Sequence, residues 1–344
     1  MDKKKLFNPL GNDSLDTRKI IKGNSTNIFN LNNVKYSWAN LLYRNMMSNF
    51  WIPEKIDLSN DKNDYFNLKD SEKNAYNGIL SFLIFLDSIQ TNNISNISEF
   101  ITAPEINLVL SIQTFQEAIH SQSYQYIIES IIPKELRDNI YDKWRDDPIL
   151  FERNKYIATI YQEFIDYPTD KNFSKVIIAN YLLEGLYFYN GFNFFYFLAT
   201  QNKMMGTSDI IKLINRDELT HIVLFKQIFK EIQNENPNYF DIDLIYEMFH
   251  VAVNQEIKWT KHIIGNNIPG ITDHTTEHYT KYLANLRLKD LGLDPIFEGF
   301  NDNPYSLLEK YADTAGNGNV KANFFEGTVT SYNMSSSISG WDEF

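Results

Sequence analysis

The stretch from Lys175 to Thr200 reads KVIIANYLLEGLYFYNGFNFFYFLAT. It is apolar on all sides, which predicts a helix surrounded by other helices. It holds a single acid, Glu184. Burying an unpaired carboxylate is very costly, so such a group is paired, protonated or bound to a metal. Ile79 to Leu86 repeats the pattern, an almost continuous apolar run that ends at Asp87. Gly185 and Gly191 lie inside the first segment, and each costs about 1 kcal/mol relative to alanine in a helix. Packing or a local distortion must keep them there.

A second pattern supplies company for these acids. Glu117, His120 and Tyr124 fall at i, i+3 and i+7, on one face of a helix. The Glu-x-x-His pair recurs at Glu218 and His221. Two such pairs, with one acid from each of two further helices, form the ligand set of a dinuclear carboxylate bundle. Asp87 and Glu184 are the two further acids. Taken singly, each feature has a plainer reading, as a partly exposed helix residue or a surface i,i+3 pair. The specificity lies in the whole set. Carboxylate oxygens with one imidazole per metal suit iron or manganese. Two such metals can bind dioxygen and deliver oxidising equivalents, and Tyr124 is one turn beyond His120, close enough to be oxidised.

The rest of the chain frames this core. Residues 1–34 are rich in Asn, Asp, Ser, Gly and Lys and read as an extended or poorly ordered arm. Residues 35–315 read as one helical body. A first helix stops before Pro53, a polar connector follows, and long helices then run through Asp87, from Pro104 to Pro133, and from Asp209 to Ile232. Residues 316–344 are polar, weakly periodic and end in aromatic and acidic residues, and read as a flexible tail with a sticky end. The formal net charge of −12 argues against binding nucleic acid or an anionic membrane. No apolar stretch has the length of a signal sequence or a membrane span. These features predict a soluble, cytoplasmic protein. The chain has no cysteine, which excludes a disulfide framework, thiolate ligands and any thiol chemistry of its own. His274-Thr275-Thr276-Glu277-His278 matches the H-x-x-E-H of a family of zinc proteases. It lies at the polar start of a helix, where solvated His and Glu accumulate.

The quoted motifs, with FLDSIQ around Asp87, EAIHSQSY from Glu117 to Tyr124, LEGLYFYNGF around Glu184 and LINRDELTH around His221, resemble the small, radical-generating subunit of class I ribonucleotide reductase. The resemblance runs from about Asn49 to the C-terminus. It implies an all-α, ferritin-like bundle with a dinuclear site in its four-helix core, usually a homodimer. It implies two irons, or alternatively two manganeses, with Asp87, Glu117 and His120 on one metal and Glu184, Glu218 and His221 on the other. Carboxylates of both sets would bridge. Tyr124 matches the radical tyrosine, and Phe188, Phe192 and Ile214 match the apolar pocket that shelters it. Trp51 and Asp217 match the family's electron-transfer route. In the tail, Tyr332 matches the relay tyrosine and Glu326 its associated acid. The last residues, Gly340 to Phe344, match the segment that docks on the large subunit, where ribonucleotides are reduced. A flavodoxin-like activator stays open. A stand-alone di-metal oxidase or a ferritin-like metal-storage protein would explain the ligands, but gives no reason for Trp51, Tyr332 and the aromatic-acidic terminus.

Overall fold

A computed structural model of the chain describes residues 1–30, 32–268, 270–308 and 311. In order, the helices are α1 (Ser37–Ser48), α2 (Ser59–Asn67), α3 (Asp70–Ser98), α4 (Pro104–Ile131), α5 (Lys134–Asp146), α6 (Pro148–Asp166), α7 (Asp170–Leu182), α8 (Tyr189–Thr200), α9 (Met205–Glu235), α10 (Ile242–Ile263) and α11 (Asp273–Asp290). A π turn, Leu183–Tyr187, joins α7 to α8. Among the described residues there is no β-strand, only two isolated bridges. The fold class is therefore all-α.

Helix ends follow local chemistry. Proline takes the first position of α4 and α6, where its missing N–H is not needed. Asp147 accepts from the backbone N–H of Ile149 and Leu150 at 3.0 and 3.2 Å, and Thr169, Asp241 and Thr272 cap α7, α10 and α11 in the same way. Such caps satisfy N–H groups that a helix leaves open.

Four helical segments form the centre. α3 packs along α4, α8 packs along α9, and contacts of α4 and α7 with α9 close the group. α1 lies across α4 and α9, α5 and α6 cover α3, and α10 and α11 cover α7 and the π turn. Ile79, Leu80, Leu83, Phe188, Phe192, Ile214 and Phe225 are all nearly or fully buried in this centre. Burying such side chains stabilises by about 1.5–3 kcal/mol each relative to exposure.

The structure adds detail that the sequence pattern lacked. The polar connector after Pro53 contains α2, whose Asp61 is buried. The Asp61 carboxylate accepts from Gly206 N at 3.0 Å and from Thr207 N and Oγ1 at 2.6 and 2.7 Å, capping the start of α9. The segment from Lys175 to Thr200 is not one continuous α-helix, because the π turn interrupts it at Glu184 and Gly185. After α11 the described residues carry only a 3-10 turn, Ser306–Leu308. The amino-terminal arm lies on the body. Ile20 is buried, its N–H donates to Glu235 at 3.2 Å and its carbonyl accepts from Thr102 N at 2.7 Å. Buried Arg18 meets Glu105 at 3.3 Å. Tyr332, Glu326 and the whole segment 316–344 lie outside the described residues.

Candidate metal centre

Each central segment delivers its acid or imidazole to one place. Asp87 comes from α3, Glu117 and His120 from α4, Glu184 from the π turn, and Glu218 and His221 from α9. All six are fully buried. They form two overlapping groups: Asp87, Glu117, His120 and Glu218, then Glu117, Glu184, Glu218 and His221. Within each group one ligand atom per residue lies within 4.8 Å of all the others. Glu117 and Glu218 belong to both groups, as bridging carboxylates would.

The imidazoles are aimed the same way. His120 Nδ1 is 3.1 Å from Glu218 Oε1, 3.5 Å from Glu117 Oε2 and 3.9 Å from Asp87 Oδ2. His221 Nδ1 is 2.8 Å from Glu218 Oε2, 3.1 Å from Glu117 Oε1 and 3.7 Å from Glu184 Oε2. The other ring nitrogens are held from behind. His120 Nε2 faces Asp217 Oδ2 at 3.4 Å, and His221 Nε2 faces Gln116 Oε1 at 3.0 Å. Orientation of this kind is what metal-ligating histidines receive from their outer partners.

Both Asp87 oxygens, Glu117 Oε2, Glu184 Oε2, Glu218 Oε1 and His120 Nδ1 make no hydrogen bond. Buried polar atoms are normally paired. Six unpaired acceptors on one spot fit a pair of cations, and the donor set of four carboxylates and two imidazoles suits iron or manganese. Without cations the electrostatics are divided. Burial, then Glu117 and Glu218, push Asp87 and Glu184 well above the usual carboxylate range. Burial also opposes charge on Glu218, but His221 and His120 outweigh it and hold Glu218 low. Burial disfavours charge on the imidazoles too, yet the facing carboxylates, Glu218 first, raise both His120 and His221.

Tyr124, also on α4, is fully buried, and its hydroxyl makes no hydrogen bond of regular geometry. Burial and then the charge of Asp87 raise its pKa, so it stays a phenol. Phe188 and Phe192 stack at 5.6 Å with 16° between rings, and both are buried, as is Ile214. The π turn is wider than an α turn, so the register that links Glu184 to Phe188 is not the α-helical i+4. Trp51 lies behind His120. Its indole N–H donates to Asp217 Oδ2 at 2.8 Å, and its ring is 6.4 Å from the His120 ring. Asp217 Oδ2 thus lies between the two. Arg216 donates to Asp217 Oδ1 at 3.2 Å.

Several supporting residues were given no role by the sequence motifs, although Gln90 closes the FLDSIQ segment. Gln113 donates to Glu184 Oε1 at 2.9 Å, and Gln90 donates to the same oxygen. Tyr161 in turn donates to Gln90 at 2.9 Å. Gln90 and Gln113 lie one helical turn from Asp87 and Glu117 on otherwise apolar helices, which is the signal that finds them. The HTTEH segment does not converge on a site. His274 is exposed, Glu277 pairs with Lys261 and Lys281 at 2.8 and 2.6 Å, and His278 faces Asp302 at 3.5 Å.

Known proteins are similar to this chain in sequence and fold. The sequence pattern described as the small chain of ribonucleotide reductase matches residues 28–304. The ribonucleoside-diphosphate reductase subunit beta of Treponema pallidum is 47% identical over 342 residues, covering 98% of this chain and 97% of its own. That of Halalkalibacterium halodurans is 36% identical over 346 residues, covering 100% and 99%. The solved ribonucleotide reductase R2 subunit from Clostridium botulinum has 48% identity and a TM-score of 0.88, covering 91% of this chain and 99% of that one. The dimanganese(II)-NrdF of Streptococcus sanguinis, 24% identical with a TM-score of 0.71 and covering 83% and 99%, shares the fold. Proteins of this family are radical-generating subunits of an oxidoreductase that work with a large subunit and are generally homodimers. A match over residues 28–304, with relatives up to 47% identical over nearly the whole chain, means that the chain belongs to the ribonucleotide reductase small-chain family.

Proposed function

We propose that this small subunit holds two irons, or alternatively two manganeses, with Asp87, Glu117 and His120 on one ion and Glu184, Glu218 and His221 on the other. Glu117 and Glu218, which belong to both ligand groups, would be shared between the two. The observation that carries this is the pair of overlapping ligand groups whose buried acceptors are otherwise unpaired. Bound there, the metals supply the oxidising power that a phenol in a dry core needs in order to lose an electron.

The chain's residues do the rest. Tyr124 would lose one electron to the oxidised metal pair and pass its phenolic proton toward Asp87, the carboxylate that faces it. The aromatic wall of Phe188 and Phe192, with Ile214, keeps water and reductants from the radical. Trp51 and His120 share Asp217, a continuous link from the ligand shell toward the partly exposed indole. From Trp51 the hole passes to Tyr332, assisted by Glu326, and on to a thiol of the large subunit. The substrate is a ribonucleotide, reduced there to its deoxyribonucleotide. Residues 1–34 act as an arm, 35–315 as the metal-holding bundle, and 316–344 as the segment that docks on the large subunit. Activation through a flavodoxin-like protein fits the manganese form.

The proposed site of action is the cytoplasm; among the described residues no helix is long and apolar enough to cross a membrane. Truncation after Lys321 tests the division of labour. Expected are full metal loading and loss of both large-subunit binding and turnover. Unchanged turnover would overturn the role of the tail and favour a stand-alone oxidase.

A further inference from the structure

The π turn that bears Glu184 is pinned from outside the metal cluster. A widened turn leaves backbone groups without their α-helical partners. Two carbonyls of this turn accept from buried arginines: Gly185 O from Arg287 Nε and Tyr187 O from Arg153 Nη2, both at 2.9 Å. Arg153 is also committed to Glu256, at 2.9 Å through Nε. Arg287 is different. Its one charged neighbour among the recorded ion pairs is Asp290, at 3.4 Å. Three further contacts go to the Glu184 segment. Its backbone carbonyl accepts from the Tyr181 hydroxyl at 3.2 Å, its Nε donates to Gly185, and its guanidinium lies 5.3 Å from the centre of the Tyr189 ring. One residue of α11 therefore touches the chain before the turn through its backbone and within and after the turn through its side chain.

Gly185 makes room for this contact. A Cβ there would lie 3.0 Å from Arg287 Nε and 3.1 Å from its Cδ. The residue after Glu184 and the guanidinium compete for the same space, and glycine resolves the competition. Were the turn to relax toward α-helix, the chain after it would rotate and Glu184 would no longer meet His221 and Glu117.

We propose that Arg287 is a positioning residue for Glu184: by clamping the Gly185 carbonyl it fixes the register of the π turn, and with it the affinity of the ion that Glu184 ligates. The inference rests on the di-metal reading above. It sets Arg287 apart from a general stabiliser, because its effect falls on one ion and spares the other.

The test uses the full-length protein, freed of metal and titrated with Mn(II), with unbound ion counted by electron paramagnetic resonance. Wild type is compared with Arg287→Lys, Gly185→Ala and the double variant, after circular dichroism has shown equal helix content. Lysine keeps the charge but lacks the Nε–H and the planar fork. Alanine at 185 is the milder change and displaces the guanidinium from the other side. Two ions are expected in wild type. In each single variant one ion weakens about tenfold or more, the size of effect typical for outer partners of metal ligands, and the other is retained. The double variant should be no worse than the weaker single, since both break one contact. Wild-type affinity for both ions in the folded single variants would overturn the inference. So would equal weakening of both ions, or additive losses in the double variant. If wild type binds no metal, the di-metal reading itself falls, and this inference with it.

Discussion

Replacing Tyr124 with phenylalanine separates structure from chemistry. The hydroxyl is fully buried, faces Asp87 and makes no hydrogen bond of regular geometry. An unsatisfied buried polar group costs about 1–3 kcal/mol. Removing only the oxygen gives up at most an irregular contact with Asp87 and keeps the ring that fills the core. The metal-free folded state should therefore be unchanged or stabilised by about 1 kcal/mol. With an unfolding entropy of roughly 2.1 cal/mol/K per residue, that is about one to two degrees in Tm for a chain of 344 residues. The assay has three parts: calorimetry of the metal-free protein, a metal count after loading, and turnover with the large subunit beside the low-temperature resonance spectrum. Expected are an equal or higher Tm, two metals, no tyrosyl signal and turnover reduced by orders of magnitude. A Tm lowered by more than about 3 °C would show that the hydroxyl is satisfied after all. Full turnover would remove Tyr124 from the radical role.

In the metal-free protein Asp87, Glu184, His120 and His221 all have raised folded pKa values, so the folded state favours their protonated forms. Their stabilisation is present below the ordinary carboxylate and histidine values and is lost as pH rises through the raised ones. Metal-free Tm should fall from about pH 5 to pH 9, whereas metal affinity should fall on acidification because the ligands must be deprotonated; a level Tm profile would contradict the cluster's electrostatics. The double variant His274→Ala/His278→Ala should still bind two metals per chain, and a lost ion would reopen the HTTEH segment as a site. Arg153→Met leaves the buried Glu256 carboxylate without its ion partner. Breaking such a pair costs about 3–5 kcal/mol, and a Tm drop of less than about 2 °C would mean that Asn190, which donates to Glu256 at 3.2 Å, suffices to hold it.

The six candidate ligands were legible because a carboxylate in an apolar helix is too costly to be accidental, and because i,i+3 spacing needs only a helix to become a shared face. Trp51 and Asp217 were found through the family's motifs alone, since nothing in their spacing shows that they meet. Other features left weaker traces. α2 reads SNDKNDYFN, with little apolar pattern, and its place depends on Asp61 capping a helix some 145 residues away in sequence. The π turn left only Gly185 as a sign of distortion, because the arginine that occupies the space beside it comes from α11. Gln90 and Gln113 carry a weaker signal than the acids because amides are common in helices, although in an apolar helix they need partners for the same reason.

The two histidines present the same nitrogen to the cluster but are backed by different groups. Behind His120 stands a carboxylate, Asp217, and behind His221 a neutral amide, Gln116. An anion accepting from the far N–H makes an imidazole a stronger electron donor than an amide does. Two sites with nearly matching ligand types are thereby made electronically unequal. An ion held by His120 would be the easier to oxidise, and His120 lies at the end of the chain of contacts that leads to Trp51. The bias comes from groups that touch no metal, so a change at Asp217 or Gln116 would alter which ion yields its electron first without altering a single ligand.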